Sequence, residues 1–300
     1  MRHYQMIAAA ATLALAAVGS AFPQSGGTVV SGIGGGVGTA SATFAGPGGM
    51  SSMRSDNTGT TFTYKFSPGS TVFAFTGAPY SGRTSSQTVR TLANGTHLNQ
   101  PAFEQPMTYR DTMGRTRTDV TMTRPPAIAM NGANVEPRIQ RLAEIIDPVT
   151  GYHYILDDVH KIAHRVPVQA RTNQAPGPAV AAARVIQMPP RTMQNGTTMT
   201  NENLGTQTMF GINVTGQRNT MTYPVGTYQG NDAPVTTVTE TWTATQWGLM
   251  IQSKNSGPES DSTTIMKDFT IDEPDPALFQ VPAGYQIVDE TGEFTISIPK

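Results

Sequence analysis

Apolar and polar positions alternate along short stretches of this chain, and alternation of this kind predicts β-strands. Residues 61–66 alternate in this way, a Ser-Pro-Gly-Ser turn follows, and residues 71–75 continue the pattern. Similar stretches flank turn sequences at Asn94-Gly95, at Met113-Gly114 and at 148–151. Further strands are predicted at 206–216 and 217–223, or as one long bent strand over both, and at 235–245, 247–254, 263–272, 287–288 and 294–298. Strands of about ten residues separated by turns predict a mainly β protein, an antiparallel meander that forms a curved open half-barrel or a sandwich.

The composition agrees with a β-rich fold. The chain of 300 residues contains 43 Thr and 9 Leu, and Thr suits strands whereas Leu favours helices. It contains no cysteine, which excludes disulfides, thiolate metal sites and a cysteine nucleophile. Its 20 basic and 21 acidic residues lack the basic excess that is typical of nucleic-acid-binding proteins. We therefore expect no nucleic-acid partner.

The N-terminus has the three parts of a secretory signal peptide. Arg2 supplies the positive charge, residues 6–18 are apolar except for Thr12, and Gly19-Ser20-Ala21 is a small-residue cleavage site. The apolar run of about 13 residues is shorter than the roughly 20 residues that cross a bilayer as a helix. We therefore expect a signal peptide over residues 1–21, export to the periplasm or the outside of the cell, and no transmembrane span.

Two segments interrupt the strand pattern. Residues 22–57 are rich in Gly, Ser, Ala and Thr, which predicts a flexible leader. Residues 166 to about 203 contain five prolines among Ala, Gln and Asn, which predicts a mobile Pro/Ala-rich linker. We expect residues 58–300 to form a single antiparallel β domain that this linker interrupts, because neither half alone has enough strands to cover a core.

Alternation also predicts a ligand-facing surface. Within residues 235–244, Val238, Glu240 and Trp242 share one side, whereas the other side is mostly Thr. A carboxylate on an apolar side must be paired or protonated. One interpretation is that Glu240 forms an ion pair with an Arg, or with Lys267 if the strands that contain Glu240 and Lys267 are neighbours. Another is that Glu240 is a polar group in a ligand cavity. A bulge that shifts the register is a third interpretation. The predicted ligand-facing residues are Val238, Glu240, Trp242, Ile265 and Phe269.

One segment contains the best candidates for catalysis or metal binding. His160 and His164 are four residues apart, and Asp157 and Asp158 precede them. On a helix the two imidazoles would share a face suited to zinc, but no Glu follows His160 as in a zincin motif, and two cations are adjacent. We predict surface or structural histidines, with no catalytic, cofactor or metal site. A hydrolase that uses this segment is the alternative.

The two ends of the predicted domain differ in charge. Residues 83–145 contain eight basic and five acidic side chains, whereas residues 255–300 contain two basic and nine acidic side chains. This asymmetry predicts that the acidic C-terminal strands lie near the basic hairpins. A site for a polyanion, such as lipid headgroups or an acidic glycan, is the alternative interpretation.

Four stretches carry distinctive motifs: Arg-Asp-x-x-Gly-Arg-x-Arg within 109–117, Asp-Pro-x-x-Gly within 146–151, Glu-Thr-Trp at 240–242, and Leu-Phe-x-x-Pro-x-Gly-Tyr within 273–285. Together they resemble a family of exported bacterial proteins of unassigned function, over roughly residues 79 to 288. The meander that ends in the last motif is also similar to periplasmic lipoprotein carriers (LolA-like). That resemblance implies a curved open half-barrel whose apolar concave face holds acyl chains. The chain departs from the carriers in its long linker and in lacking clear lid helices.

These observations predict a non-enzymatic exported protein that binds a hydrophobic ligand on a curved sheet. The expected partners are a lipid, an acyl chain or hydrophobic peptide, a lipoprotein, or an envelope protein. A structural or interaction protein of the bacterial envelope is the first alternative, and the hydrolase that uses residues 157–164 is the second.

Overall fold

The computed structural model describes residues 28–32, 40–46, 49–55, 59–66, 69–92, 94–123, 139–174 and 189–299. These residues form strands and turns with one short 3-10 helix, Pro276–Phe279, so the predicted mainly β class is confirmed. The predicted signal peptide at 1–21 lies outside the described residues.

The strands are β1 (Thr28–Gly32), β2 (Ala40–Gly46), β3 (Gly49–Ser55), β4 (Gly59–Phe66), β5 (Ser70–Thr76), β6 (Tyr80–Thr91), β7 (His97–Asn99), β8 (Phe103–Glu104), β9 (Met107–Arg110), β10 (Thr116–Thr123), β11 (Ile139–Asp147), β12 (Tyr152–Asp157), β13 (Ile162–Gln174), β14 (Arg191–Thr192), β15 (Thr198–Met209), β16 (Ile212–Tyr223), β17 (Val235–Ala244), β18 (Leu249–Ser256), β19 (Ser260–Thr270), β20 (Gln286–Asp289) and β21 (Phe294–Pro299).

Five strands form a smaller antiparallel sheet in the order β1-β2-β3-β4-β21. Strands β1, β2 and β3 fall within residues 22–57, for which the sequence predicted a flexible leader, and the division of the chain at residue 57 stays a prediction. Gly- and Ser-rich segments can join a ladder because it is built from backbone hydrogen bonds, which they form as well as any others.

The larger sheet follows the order β14-β15-β16-β17-β18-β19-β6-β9-β10-β11-β12-β13-β20, and β5, β7 and β8 pair with strands of this path. Its neighbours are antiparallel except where β13 pairs in parallel with β5 and with β20. The terminal strands β14 and β20 do not pair with each other, so the sheet is open, as predicted. Strand β19, which follows the predicted linker, pairs with β6, which precedes it. That the whole of 58–300 is one domain stays a prediction.

The predicted linker is narrower than residues 166–203, because β13 runs on to Gln174 and β15 begins at Thr198. Pro167 is tolerated within β13 because of its position between two partners. Strand β20 pairs with β13 up to Arg165, and β5 begins to pair at Val168. The missing N–H of Pro167 therefore falls where one neighbour ends and the next begins.

The two sheets pack against each other over strands β11, β12 and β13. Phe62, Tyr64, Phe294 and Ile296 of the smaller sheet bury their side chains there. Their partners in the larger sheet are Leu142, Ile155 and Val166. On the opposite face of the same three strands, Val281 and Tyr285 of the C-terminal motif cover a second apolar cluster. The end of the larger sheet that β15 to β19 and β6 form has a core of its own, which carries the candidate site.

Candidate functional site

An apolar cluster, here called the apolar end, lies where β6 and β16 to β19 meet. Four partly buried side chains, Met209, Trp242, Trp247 and Phe269, pack against its buried centre. Methionine and aromatic side chains that are only partly covered form the kind of surface that contacts apolar ligands. The buried centre consists of Tyr80, Ile212, Val214, Ala244, Leu249, Ile251 and Met266.

Two aromatic rings from separate strands of the sheet meet at the apolar end. The ring centroid of Phe210, in the turn between β15 and β16, lies 5.9 Å from that of Phe269 in β19. Strands β17 and β18 separate β16 from β19 in the sheet. In a flat sheet three strand spacings would separate these positions by roughly 14 Å. The contact joins the hairpin tip to β19, and it is consistent with the curved open sheet that the sequence predicted.

Phe210 occupies an unusual backbone conformation at this point. Met209 pairs with Ile212, so Phe210 and Gly211 form a two-residue hairpin turn, and their φ angles are 50° and 76°. Two positive φ values define a type I′ turn, which favours Asn-Gly, whereas a bulky residue is strained in it. Phe210 is also 49% exposed. The turn thus holds an aromatic ring, at a cost in backbone energy, beside the rim of the apolar end.

Trp242 lies directly against the backbone of β16. A Cβ atom added to Gly216 would meet the Trp242 ring at 2.5 Å, a separation that no real contact shows. Gly216 is therefore required for the position of the indole ring. The sequence suggested a turn after Gly216, but β16 runs through it, and the turn lies at Phe210 and Gly211 instead.

Three of the predicted ligand-facing residues lie in β17 on one side of the strand. Val238, Glu240 and Trp242 pair with Thr220, Arg218 and Gly216 of β16. Only Trp242 of these three packs against the apolar end. Whether they face a ligand stays a prediction.

Glu240 belongs to a row of alternating charges across four strands. The register aligns Glu202, Arg218, Glu240 and Lys254 from β15 to β18. Arg218 donates from Nε to Glu240 at 2.8 Å and from Nη1 to Glu202 at 2.7 Å. The hydrogen bonds to Glu240 and then to Glu202 raise the pKa of Arg218. The ion pair with an Arg, one of the predicted interpretations, is therefore present.

Lys267 is not the partner of Glu240, because β18 lies between β17 and β19. Its Nζ lies 3.1 Å from Glu104 instead. Ile265, another predicted ligand-facing residue, pairs with Gln252 and with Ser85 and is half-buried outside the apolar cluster. Phe269 is the second predicted residue that the structure places in the cluster.

Arg110, from the Arg-Asp-x-x-Gly-Arg motif, is buried next to the apolar end and is 5% exposed. It donates from Nε to the Ala78 carbonyl at 2.8 Å and from Nη2 to the Trp247 carbonyl at 2.6 Å. Its guanidinium carbon lies 4.7 Å from the ring centroid of Tyr80 and 5.7 Å from that of Phe75. Burial lowers the pKa of Arg110, and nearby Tyr80 opposes this effect.

The rest of that motif fastens the hairpin β9–β10 to the C-terminal segment. Asp111 is buried and accepts from Arg115 Nε at 2.5 Å. Arg117 donates to the Leu278 carbonyl at 3.0 Å. Glu273 accepts from the backbone N–H of Thr112 at 3.1 Å. The predicted proximity of basic hairpins and acidic C-terminal residues is therefore present here, in structural contacts.

The side chains of the hydrolase alternative, which stays a prediction, have separate hydrogen-bond partners. Asp157 Oδ2 lies 2.6 Å from His160 Nδ1, and His164 Nδ1 lies 2.7 Å from Glu290. Asp158 instead accepts from the Tyr285 hydroxyl at 2.9 Å and pairs with Lys161. Within the described ranges, no group of three or more His, Cys, Asp or Glu residues has an arrangement suited to a metal ion.

A polar group that the sequence did not single out lies between the two sheets. His153 is 2% exposed, and neither of its ring nitrogens has a hydrogen-bond partner among the described residues. Its Nε2 lies 3.7 Å from Glu144 Oε2, and its ring stands edge-on to Phe66 at 5.2 Å. Burial, and then the charges of Glu144 and Asp157, raise the pKa of Tyr64 well above its ordinary value.

The sequence analysis did not predict that Phe210 lies in a hairpin turn. It also did not predict that Arg110 is buried without an ion pair to any described Asp or Glu. A Phe-Gly pair between two alternating runs was a signal for the hairpin tip, although Asn-Gly is the usual form. For Arg110 no sequence signal was available, because its lack of a carboxylate depends on strands that are distant in the chain.

Comparisons with known proteins found remote similarity to solved structures. No protein-family profile and no curated protein matches the sequence. Among solved structures, LprF from Mycobacterium bovis aligns at 8% identity and a TM-score of 0.23, over 67% of this chain and 90% of LprF. A DUF1329 family protein from Desulfovibrio piger aligns at 8% identity and a TM-score of 0.16, over 68% of this chain and 90% of its own. TM-scores this low do not establish a common fold, and membership of a family of exported proteins stays a prediction.

In the part of the chain that the structure describes, no helix is long and apolar enough to cross a membrane.

Proposed function

We propose that this protein is an exported, non-catalytic binding protein that holds a hydrophobic ligand at the apolar end of its larger sheet. One observation carries the proposal. Phe210 is held in a strained left-handed conformation, half-exposed, where its ring meets Phe269 across the curved sheet. Strained residues persist where the surrounding structure enforces them, and they concentrate at functional sites.

The neighbouring side chains supply the contact surface. Trp242, Trp247 and Met209 are partly buried, so an apolar ligand placed on them removes further apolar surface from water. Each Å² removed contributes about 25 cal/mol before the costs of association are subtracted. A lipid, an acyl chain or a hydrophobic peptide has the required chemistry.

Fluorescence tests the proposal directly, because the chain has two tryptophans, Trp242 and Trp247, and both border the apolar end. The probe is N-phenyl-1-naphthylamine, a neutral apolar dye that fluoresces in apolar surroundings and accepts energy from tryptophan. We expect saturable binding, with energy transfer that survives in Trp242→Phe and in Trp247→Phe, since each variant retains one donor near the site.

A matched pair of variants locates the dye. Phe210→Asn should weaken dye binding several-fold, whereas Phe103→Asn should leave it unchanged. Phe103 is similarly exposed, at 53%, but it lies in β8 opposite Ser86, six residues along β6 from Tyr80. Equal affinities in all three proteins, or no dye binding at all, would contradict the proposal.

Native mass spectrometry of the protein from an envelope fraction identifies the natural occupant. We expect an added mass that organic solvent removes. Protein that is empty in this experiment, binds no dye and cross-links to an envelope protein would favour the alternative of a structural or interaction protein.

A further inference from the structure

Arg110 is a buried cation whose guanidinium contacts backbone carbonyls and aromatic rings. It is 5% exposed, and no Asp or Glu of the described residues forms an ion pair with it. Buried charges in proteins are normally paired, because an isolated charge in an apolar environment is costly. The rings of Tyr80 and Phe75 offset part of this cost by cation–π attraction.

The hydrogen-bonding capacity of Arg110 is incompletely used. A guanidinium has five N–H donors. The carbonyls of Ala78 and Trp247 take one donor from Nε and one from Nη2. The hydrogen bonds of Arg110 to described residues use Nε and one Nη2 hydrogen, and the Nη1 and Nη2 nitrogens of a guanidinium are a pair that can bind a carboxylate through two parallel bonds.

Unlike Arg110, the two neighbouring arginines of the same hairpin form ion pairs with carboxylates. Arg115 pairs with Asp111 at 2.5 Å and Arg117 pairs with Asp119 at 2.6 Å. A ligand at Arg110 therefore meets one uncompensated positive charge, which suits a singly charged anion better than a phosphate monoester with nearly two charges.

Arg110 is linked to the apolar end by successive ring contacts. Its guanidinium stacks on Tyr80, whose ring centroid lies 6.1 Å from that of Phe269. Phe269 in turn contacts the half-exposed ring of Phe210 at 5.9 Å. Aromatic side chains thus lead from the buried cation to the surface of the hairpin tip.

We propose that Arg110 binds the carboxylate of a long-chain amphiphile, a fatty acid in chemical class, whose alkyl chain lies along Tyr80, Phe269 and Phe210. This inference rests on the proposed function, since it assigns the polar head of the ligand that the apolar end holds.

Displacement of N-phenyl-1-naphthylamine by dodecanoate and by dodecan-1-ol tests the inference, because the two compounds differ in the charge of the head. We expect dodecanoate to displace the dye from the purified full chain at a concentration tenfold or more below that of the alcohol, the size of effect typical of a charge-assisted hydrogen bond. In Arg110→Gln the two compounds should become equivalent, while the affinity for the alcohol stays the same.

Two further variants complete the design. Arg110→Lys keeps the charge without the fork and should retain part of the preference for dodecanoate. Arg90→Gln removes an exposed charge from β6 and should retain all of it. Circular dichroism establishes that each variant is folded; if Arg110→Gln is not, the comparison of the two compounds in the wild-type and Arg110→Lys proteins decides.

The outcomes separate the two proposals. Equal displacement by dodecanoate and dodecan-1-ol in the wild-type protein overturns the role of Arg110 and leaves the apolar site standing. A preference for dodecanoate that persists in folded Arg110→Gln also overturns it. Failure of the dye to bind at all refutes the proposed function itself.

Discussion

Replacing Phe210 by Asn separates the cost of the hairpin turn from the value of the aromatic ring. In the left-handed conformation an ordinary side chain costs roughly 1–2 kcal/mol, and Asn tolerates it better than most. The substitution therefore recovers about 1 kcal/mol at the turn. It also removes the contact with Phe269, worth about 0.5–1.5 kcal/mol, and about 1 kcal/mol from the half-buried ring surface. We expect the free energy of unfolding to fall by about 0.5–1.5 kcal/mol relative to the wild-type value.

Phe210→Ala is the matched comparison, because Ala removes the same ring and keeps the backbone strain. It should be less stable than Phe210→Asn by about 1 kcal/mol. Urea denaturation followed by tryptophan fluorescence measures both variants, and both should lose affinity for the apolar dye to a similar extent. If Ala proved as stable as Asn, the assignment of strain to this turn would be refuted. If neither variant bound the dye less tightly, Phe210 would not belong to the site.

Two further predictions concern packing and ionisation. Gly216→Ala should lower the free energy of unfolding by about 1–3 kcal/mol, because its Cβ would overlap the Trp242 ring. Gly292→Ala is the control, since Gly292 has open space around it, and it should change the free energy of unfolding by less than about 0.5 kcal/mol in the same urea assay. Burial, and the hydrogen bond to Asp158, raise the pKa of Tyr285 from 10.0 to about 12. Since folding favours the neutral phenol, its contribution to stability is present below pH 10 and lost as the pH rises towards 12. Asp158→Asn should lower the pKa of Tyr285, measured as the difference between the ultraviolet absorbance titrations of proteins with and without Tyr285→Phe, and an unchanged pKa would contradict this cause.

Much of the fold could be predicted because its signal is local. The period of two in residues 235–244 placed Val238, Glu240 and Trp242 on one side of a strand, and the register with β16 confirms that they share it. The partner of Glu240 was less predictable. An Arg was one expected interpretation and Arg218 is present, but Lys267 was excluded by the order of the strands, which alternation within a strand does not encode.

The residues of the candidate site were also predictable only in part from the sequence. Trp242 and Phe269 were expected to face a ligand, and the structure places both at the apolar end. Phe210 was expected in the middle of a strand, because its hairpin lacks the usual Asn-Gly turn. Arg110 was recognised only as part of a motif, since whether a buried cation has a countercharge depends on every strand that packs around it.

The sequence by itself determined that this chain is a β protein with antiparallel strands, because alternation and turn residues act over a few neighbouring positions. Only the tertiary structure decided that Phe210 contacts Phe269, and that Arg110 has no carboxylate partner within the part of the chain that the structure describes. Those features arise from contacts between residues that are far apart in the chain, such as Arg110 and Trp247, which are 137 positions apart, and they depend on the packing of the whole sheet.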